Sequence, residues 1–171
     1  WESPETRWCV ELGAGDGLFC SNVARLIDLG WNAVLIECDE TKYGKIKERH
    51  ASNPKVVAIH AKVGVKENNL DDILDATGIP IDFELLSLDV DGQDYHIWNS
   101  LIRHRPKVVV CEYEYRTDEN FIPEVEGEGQ AGRKSVHNLA WAKQYRPIGV
   151  LNQNYIAVDR RFNDAVEITL N

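Results

Sequence analysis

Asp89, Asp91, Asp94, Tyr95 and His96 fall within eight positions in the stretch LDVDGQDYHIW. The apolar run ELLSL precedes them and Gly92 permits a sharp exit, so these groups sit where a buried strand gives way to a helix. Carboxylates and an imidazole placed there can accept a proton from a hydroxyl or amine near neutral pH. Asp91 is the first candidate for that task and His96 the second. A plainer reading stands beside it: Asp89 and Asp91 bond backbone N–H groups of the turn, and His96 faces solvent. A third arrangement brings Asp89, Asp91 and Glu112 together on a divalent cation, for which hard oxygen ligands are suited. It ranks below metal-free chemistry, because the sequence supplies no clear further ligands.

A second chemical signal lies near the start of the chain, in CVELGAGDGLFCSNVARLIDLG, residues 9 to 30. Gly13, Gly15 and Gly17 alternate, can adopt backbone angles closed to other residues, and let a ligand approach the main chain. An apolar strand runs into them. Val23, Leu26 and Ile27 then recur at helical spacing, and Gly30 stands where a helix-terminating glycine is expected. Strand, glycine loop and helix together aim backbone N–H groups into a crevice at the carboxyl end of the strand, where α/β proteins bind nucleotide-like ligands. The next apolar run, NAVLIECDE, ends in Glu37, 20 positions after Gly17. An acid at that separation is placed to accept hydrogen bonds from ribose hydroxyls.

Elements of matching order must hold these groups. Strands are expected near 8–12, 32–37, 55–60, 84–89 and 107–113, with helices near 18–29, 40–51, 69–77 and 93–103 between them. Asn68 or Asn69 caps the third helix. Alternation of strand and helix with continuous apolar strands predicts an α/β fold with a parallel sheet covered on both faces. The segment 116–132 is rich in acids and glycine without periodicity, and reads as a long loop: either a solvated excursion or a flap over the crevice. After it, SVHNLAWAKQY reads as a helix, and RPIGVL and YIAVDR as strands joined by NQN, a hairpin whose last strand runs antiparallel. No repeat or linker divides residues 1–171, so one domain is expected.

Composition narrows the classes. The 171 residues carry a net charge of −9 with a pI near 5.0, which disfavours a nucleic-acid partner, since such affinity comes from Lys and Arg neutralising phosphates. No apolar run reaches the roughly 20 residues needed to span a bilayer, and a cytoplasmic protein with no membrane partner is expected. Cys9, Cys20, Cys38 and Cys111 show no C-x-x-C pair and read as core thiols in a reducing compartment. His50, His60, His104 and His137 stand singly and read as surface or satisfied core groups. Trp98 and Trp141 are the tryptophans to inspect.

These residues together resemble class I S-adenosylmethionine-dependent methyltransferases. ELGAGDG is similar to that family's acidic-x-Gly-x-Gly-x-Gly loop, whereas a dinucleotide-binding loop prefers G-x-G-x-x-G. Within the class, NNLDDIL, IDFELLSLDVDGQDY and RPKVVVCEYE resemble the FkbM-like subgroup over roughly residues 9–159. Asp91 stands where that subgroup more often has Glu, and 116–134 has no counterpart in it. The resemblance implies a Rossmann-like, doubly wound sheet of seven strands, mostly parallel with the last antiparallel, and S-adenosyl-L-methionine as cofactor. It further implies that Glu11 orients the loop and reaches toward the methionine amino group. The backbone of Gly13, Ala14, Gly15, Asp16 and Gly17 would line the cofactor, with Glu37 on the ribose. Cys38, Asp39, Ala61, Lys62 and Val63 would flank the adenine, and Asp89 would join the set. Asp16 reads equally as an acid at a helix start. The implied reaction is O-methylation of a small-molecule or glycan hydroxyl. The alternatives are an NAD-dependent oxidoreductase using the same loop and Glu37, or a non-catalytic methyltransferase-like binding module.

Overall fold

The structure, a computed structural model, describes residues 6–162. Seven strands form one sheet in the order β3-β2-β1-β4-β5-β7-β6. They are β1 (Trp8–Leu12), β2 (Asn32–Glu37), β3 (Val56–His60), β4 (Leu85–Leu88), β5 (Val108–Glu112), β6 (Tyr145–Leu151) and β7 (Asn154–Asp159). The first five run parallel, and β7 lies antiparallel between β5 and β6. The expected architecture is therefore observed. Chain order reverses between β1 and β4, which opens a crevice at their carboxyl ends.

Side-chain alternation along each strand builds two cores. Val10, Leu12, Val34, Ile36, Leu86, Leu88, Val109 and Cys111 face one side, against α3 (Leu70–Asp75), α4 (Asp94–Ser100) and α5 (Arg133–Ala142). Cys9, Ala33 and Leu35 face the other, against Val23, Ile27 of α1 (Ala24–Asp28) and Ile46 of α2 (Glu40–Arg49). Each fully buried Leu or Ile contributes roughly 1.5–3 kcal/mol. Only the first five strands carry helices as parallel crossovers, so the hairpin at the far edge rests on α5. Among the described residues no helix is long and apolar enough to cross a membrane.

Two expectations need correction. The first helix does not begin at 18. The Asp16 carboxylate accepts from the N–H groups of Leu18 (3.0 Å) and Phe19 (2.8 Å), and Cys20 takes a φ of +58°, so the chain turns instead of coiling. Ser21 Oγ then accepts from Ala24 N at 2.9 Å and starts α1 there. Asp16 is thus the acceptor of a turn and not a helix-start acid. Second, the cysteines divide: Cys9 and Cys111 are buried core thiols, whereas Cys20 and Cys38 are exposed. Of the two tryptophans singled out for inspection, Trp98 is wholly buried and Trp141 lies on the surface. Asn69, not Asn68, caps α3, accepting from Asp72 N at 3.0 Å.

Buried Asp71 links two elements from the first turn of α3. Its carboxylate accepts from the N–H groups of Ile102, Arg103 and His104, at 2.7, 3.0 and 2.8 Å, and from His104 Nδ1 at 2.9 Å. His104 is accordingly a satisfied core histidine. Burial opposes ionisation of Asp71, but those N–H groups outweigh it and hold the carboxyl below its usual range.

Candidate functional site

At the carboxyl edge of the sheet the chain encloses a cleft of about 270 Å³. Gly13, at the start of the glycine loop, lines it. Gly13, Gly15 and Gly17 have φ values of +70°, +57° and +74°, and a Cβ on Gly13 would stand 1.7 Å from the carbonyl oxygen of Asp89. Only glycine fits there, because β1 and β4 meet at that carbonyl. Gly15 is different: a Cβ on it would meet nothing within 4 Å. The loop is anchored by bonds from Gly13 N and Ala14 N to the carbonyl of Ile36.

Glu37, at the end of β2, is 5% exposed and lines the cleft. One carboxylate oxygen accepts from Gly15 N and the other from Asp39 N, both at 2.8 Å. Each oxygen keeps a lone pair, so the group remains able to accept from a ligand hydroxyl. Cys38, Asp39, Ala61, Lys62 and Val63 line the same cleft, as do Asp89 and Asp91. Asp39 also caps α2 through Lys42 N at 2.8 Å. Glu11, Ala14, Gly15, Asp16 and Gly17 are not among the lining residues. Glu11 instead holds the following segment, accepting from Ser21 Oγ and Asn22 N at 2.7 Å each. Burial pushes its carboxyl up to about 7, against those two hydrogen bonds and with a further push from Asp89.

Across the cleft the end of β4 presents a cluster of acids. Asp91 is exposed with φ +56°, in a turn held from inside by Asp94, whose two oxygens accept from Val90 N (2.9 Å) and Gly92 N (3.2 Å). Burial raises Asp94 to about 6. Asp89, Asp91 and Glu112 each bring an oxygen within 4.8 Å of the others. Burial, then the neighbouring Asp89, lifts Glu112 to about 7, although Gln130 donates to it. Three carboxylates this close can share a divalent cation or a proton.

His96 is tied to a different segment. Its Nε2 donates to the carbonyl of Pro123 at 2.6 Å. Gln93, on the cleft wall, donates to Gly127 O at 3.1 Å and accepts from Glu126 N at 2.9 Å. With the Gln130 bond to Glu112, these contacts fasten the segment 116–132 over the start of α4. Sequence reasoning missed Lys42, Val90 and Gln93 as cleft residues and Gln130 as a partner of Glu112. Val90 and Gln93 interleave with the acids already singled out, so their placement was readable; Lys42 and Gln130 carry no local signal.

No family model matches the chain, and no curated protein matches its sequence. Solved structures do. A SAM-dependent methyltransferase from Aquifex aeolicus superposes with a TM-score of 0.54 at 11% identity, over 91% of this chain and 82% of its own. The citrinin polyketide synthase CMeT domain gives 0.59 at 12% identity, over 92% of this chain and 48% of its own. The mitomycin 7-O-methyltransferase MmcR gives 0.52 at 12% identity, over 92% and 49%. The chain thus spans about half the length of the last two. At such identities the likeness concerns backbone architecture, and with the strand order and glycine loop it leads to one statement: this chain has the Rossmann-like fold of class I SAM-dependent methyltransferases.

Proposed function

We propose that the protein is a SAM-dependent methyltransferase, FkbM-like in its β4 and β5 motifs, that methylates a hydroxyl of a small molecule or glycan. The observation that carries this reading is Glu37. Its buried carboxylate is clamped by the glycine-loop N–H of Gly15 and faces the same cleft as Asp89 and Asp91. The cleft fits the cofactor: acceptor oxygens at the end of β2, apolar walls from Ile36, Ala61 and Val63, and the Gly13 backbone at the start of the glycine loop.

When bound, the cofactor supplies an electrophilic methyl on a sulfonium, and the chain supplies alignment and a proton acceptor. Glu37 would accept from the ribose hydroxyls, while Gly13 keeps the loop tight against β4. Asp91, the exposed member of the Asp89, Asp91 and Glu112 cluster, would take the proton from the acceptor hydroxyl. Asp94 positions Asp91 by fixing the turn. His96 acts as a fastener of the 116–132 segment.

The test is an acceptor panel of sugars and phenols incubated with the protein and SAM, read by mass spectrometry for one added methyl and by S-adenosylhomocysteine release. Methylation on oxygen that Asp91→Asn slows at least ~100-fold supports the reading. Methylation of amines alone, or unchanged turnover in Asp91→Asn, contradicts it.

A further inference from the structure

A second concavity, of about 580 Å³, lies between α5 and the β6–β7 hairpin and shares no lining residue with the cleft. Two of its lining residues, His137 and Tyr155, belong to a chain of side-chain hydrogen bonds whose directions can be deduced. Trp141 Nε1 donates to His137 Nε2 at 3.0 Å, and His137 Nδ1 lies 2.7 Å from the hydroxyl oxygen of Tyr155. An indole N–H cannot accept, so Nε2 must, and the neutral ring carries its proton on Nδ1. His137 therefore donates to Tyr155. The phenol's own hydrogen has no use for that bond and is left to point elsewhere, although Tyr155 is only 4% exposed and lines the concavity. A buried hydroxyl with an unspent donor is a demand for an acceptor.

The surrounding charges indicate which acceptor. Arg133 stands close enough for its positive charge to be felt at the Tyr155 phenol, and Glu119, which also lines the concavity, orients and partly offsets its guanidinium through a 2.9 Å ion pair. Lys134 adds an ammonium with no carboxylate partner among the described residues. The facing wall is apolar. Pro147 and Val150 of β6 form it, and the irregular pairing between Pro147 and Gly149 leaves a gap in which a Cβ on Gly149 would meet nothing within 4 Å.

We propose that this groove is a second ligand site, for a small organic anion whose carboxylate or phosphate oxygens accept from Tyr155, Arg133 and Lys134 while its apolar body lies on Pro147 and Val150. The donors of one wall, with Glu119 engaged by Arg133, and the apolar surface of the other make it selective for amphipathic anions over inorganic ions. It is independent of the chemistry at the switch point.

The experiment titrates the full chain with phenyl phosphate, benzoate and neutral benzyl alcohol, following the Trp141 indole N–H and His137 ring signals by NMR. Saturable shifts with an anion, at least about tenfold tighter than with the alcohol, are expected. The stronger of the two anions tells phosphate from carboxylate. Tyr155→Phe should weaken the anion about fivefold or more by removing the donor. Gly149→Trp, whose side chain enters open space, should abolish binding without lowering the melting temperature. Absence of saturation with either anion, equal binding of the alcohol, or unchanged binding in a folded Gly149→Trp variant would overturn the proposal.

Discussion

Two glycines two positions apart, Gly13 and Gly15, allow the loop geometry to be tested by comparison. Both have left-handed φ values, +70° and +57°, so alanine at either costs about 1–2 kcal/mol of backbone strain. They differ in surroundings. At Gly15 the new methyl meets nothing within 4 Å, and the cost ends there. At Gly13 it would stand 1.7 Å from the Asp89 carbonyl oxygen, where real contacts stay beyond 3.0 Å, so that carbonyl must retreat by at least about 1.3 Å. Such a retreat pulls apart β1 and β4, which pair through Leu12 and Leu88 at that end of the sheet. Overpacking of this kind adds about 1–3 kcal/mol or more. Urea denaturation should therefore show Gly15→Ala losing about 1 kcal/mol and Gly13→Ala losing at least about twice that. Equal losses in the two variants, with equal m-values, would refute the close approach of the loop to β4.

Asp71→Asn should cost about 3 kcal/mol in the same assay, because an amide cannot accept all four hydrogen bonds that the buried carboxylate receives; a loss below about 1 kcal/mol would contradict its bridging role. Stability should also peak near pH 4 to 5. Glu11 and Glu112, raised from 4.5 to about 7, and Asp94, raised from 3.8 to about 6, hold protons more tightly folded than unfolded. Stability therefore falls as pH rises through that window, by about 3 kcal/mol for Glu11 alone. Asp71 and Asp159 are lowered, so their contribution is present above about 3.8 and lost as pH falls further. Melting temperatures that climb steadily from pH 5 to 7 would contradict this balance. Gln93→Ala should speed amide exchange across 116–132 at least about tenfold while leaving the melting temperature nearly unchanged, since the lost bonds serve only that segment; unaltered exchange would mean that Gln93 does not fasten it.

The sheet was legible because its strands are continuous apolar runs bounded by glycine, proline and acids, a pattern that has few other solutions. The hairpin could be recognised from two strand runs joined by NQN. The start of the first helix could not. Leu18 and Phe19 extend the helical apolar period, yet a single carboxylate, Asp16, captures their N–H groups, and both side chains end up exposed. Local side-chain bonding overrode periodicity. In the cleft, residues that follow a strand end, such as Glu37, Asp89 and Asp91, were readable from position alone. The tethering of His96 and Gln93 to 116–132 was not, because it joins an unpatterned loop to a helix 27 to 34 positions away.

The central claim, that the switch-point cleft holds S-adenosylmethionine, is tested most directly by calorimetric titration of the chain with S-adenosylhomocysteine, with NADH in parallel. Binding of one homocysteine compound per chain, lost in Glu37→Ala while the variant remains folded, is the predicted result. Binding of NADH alone, or of neither compound, would contradict the account.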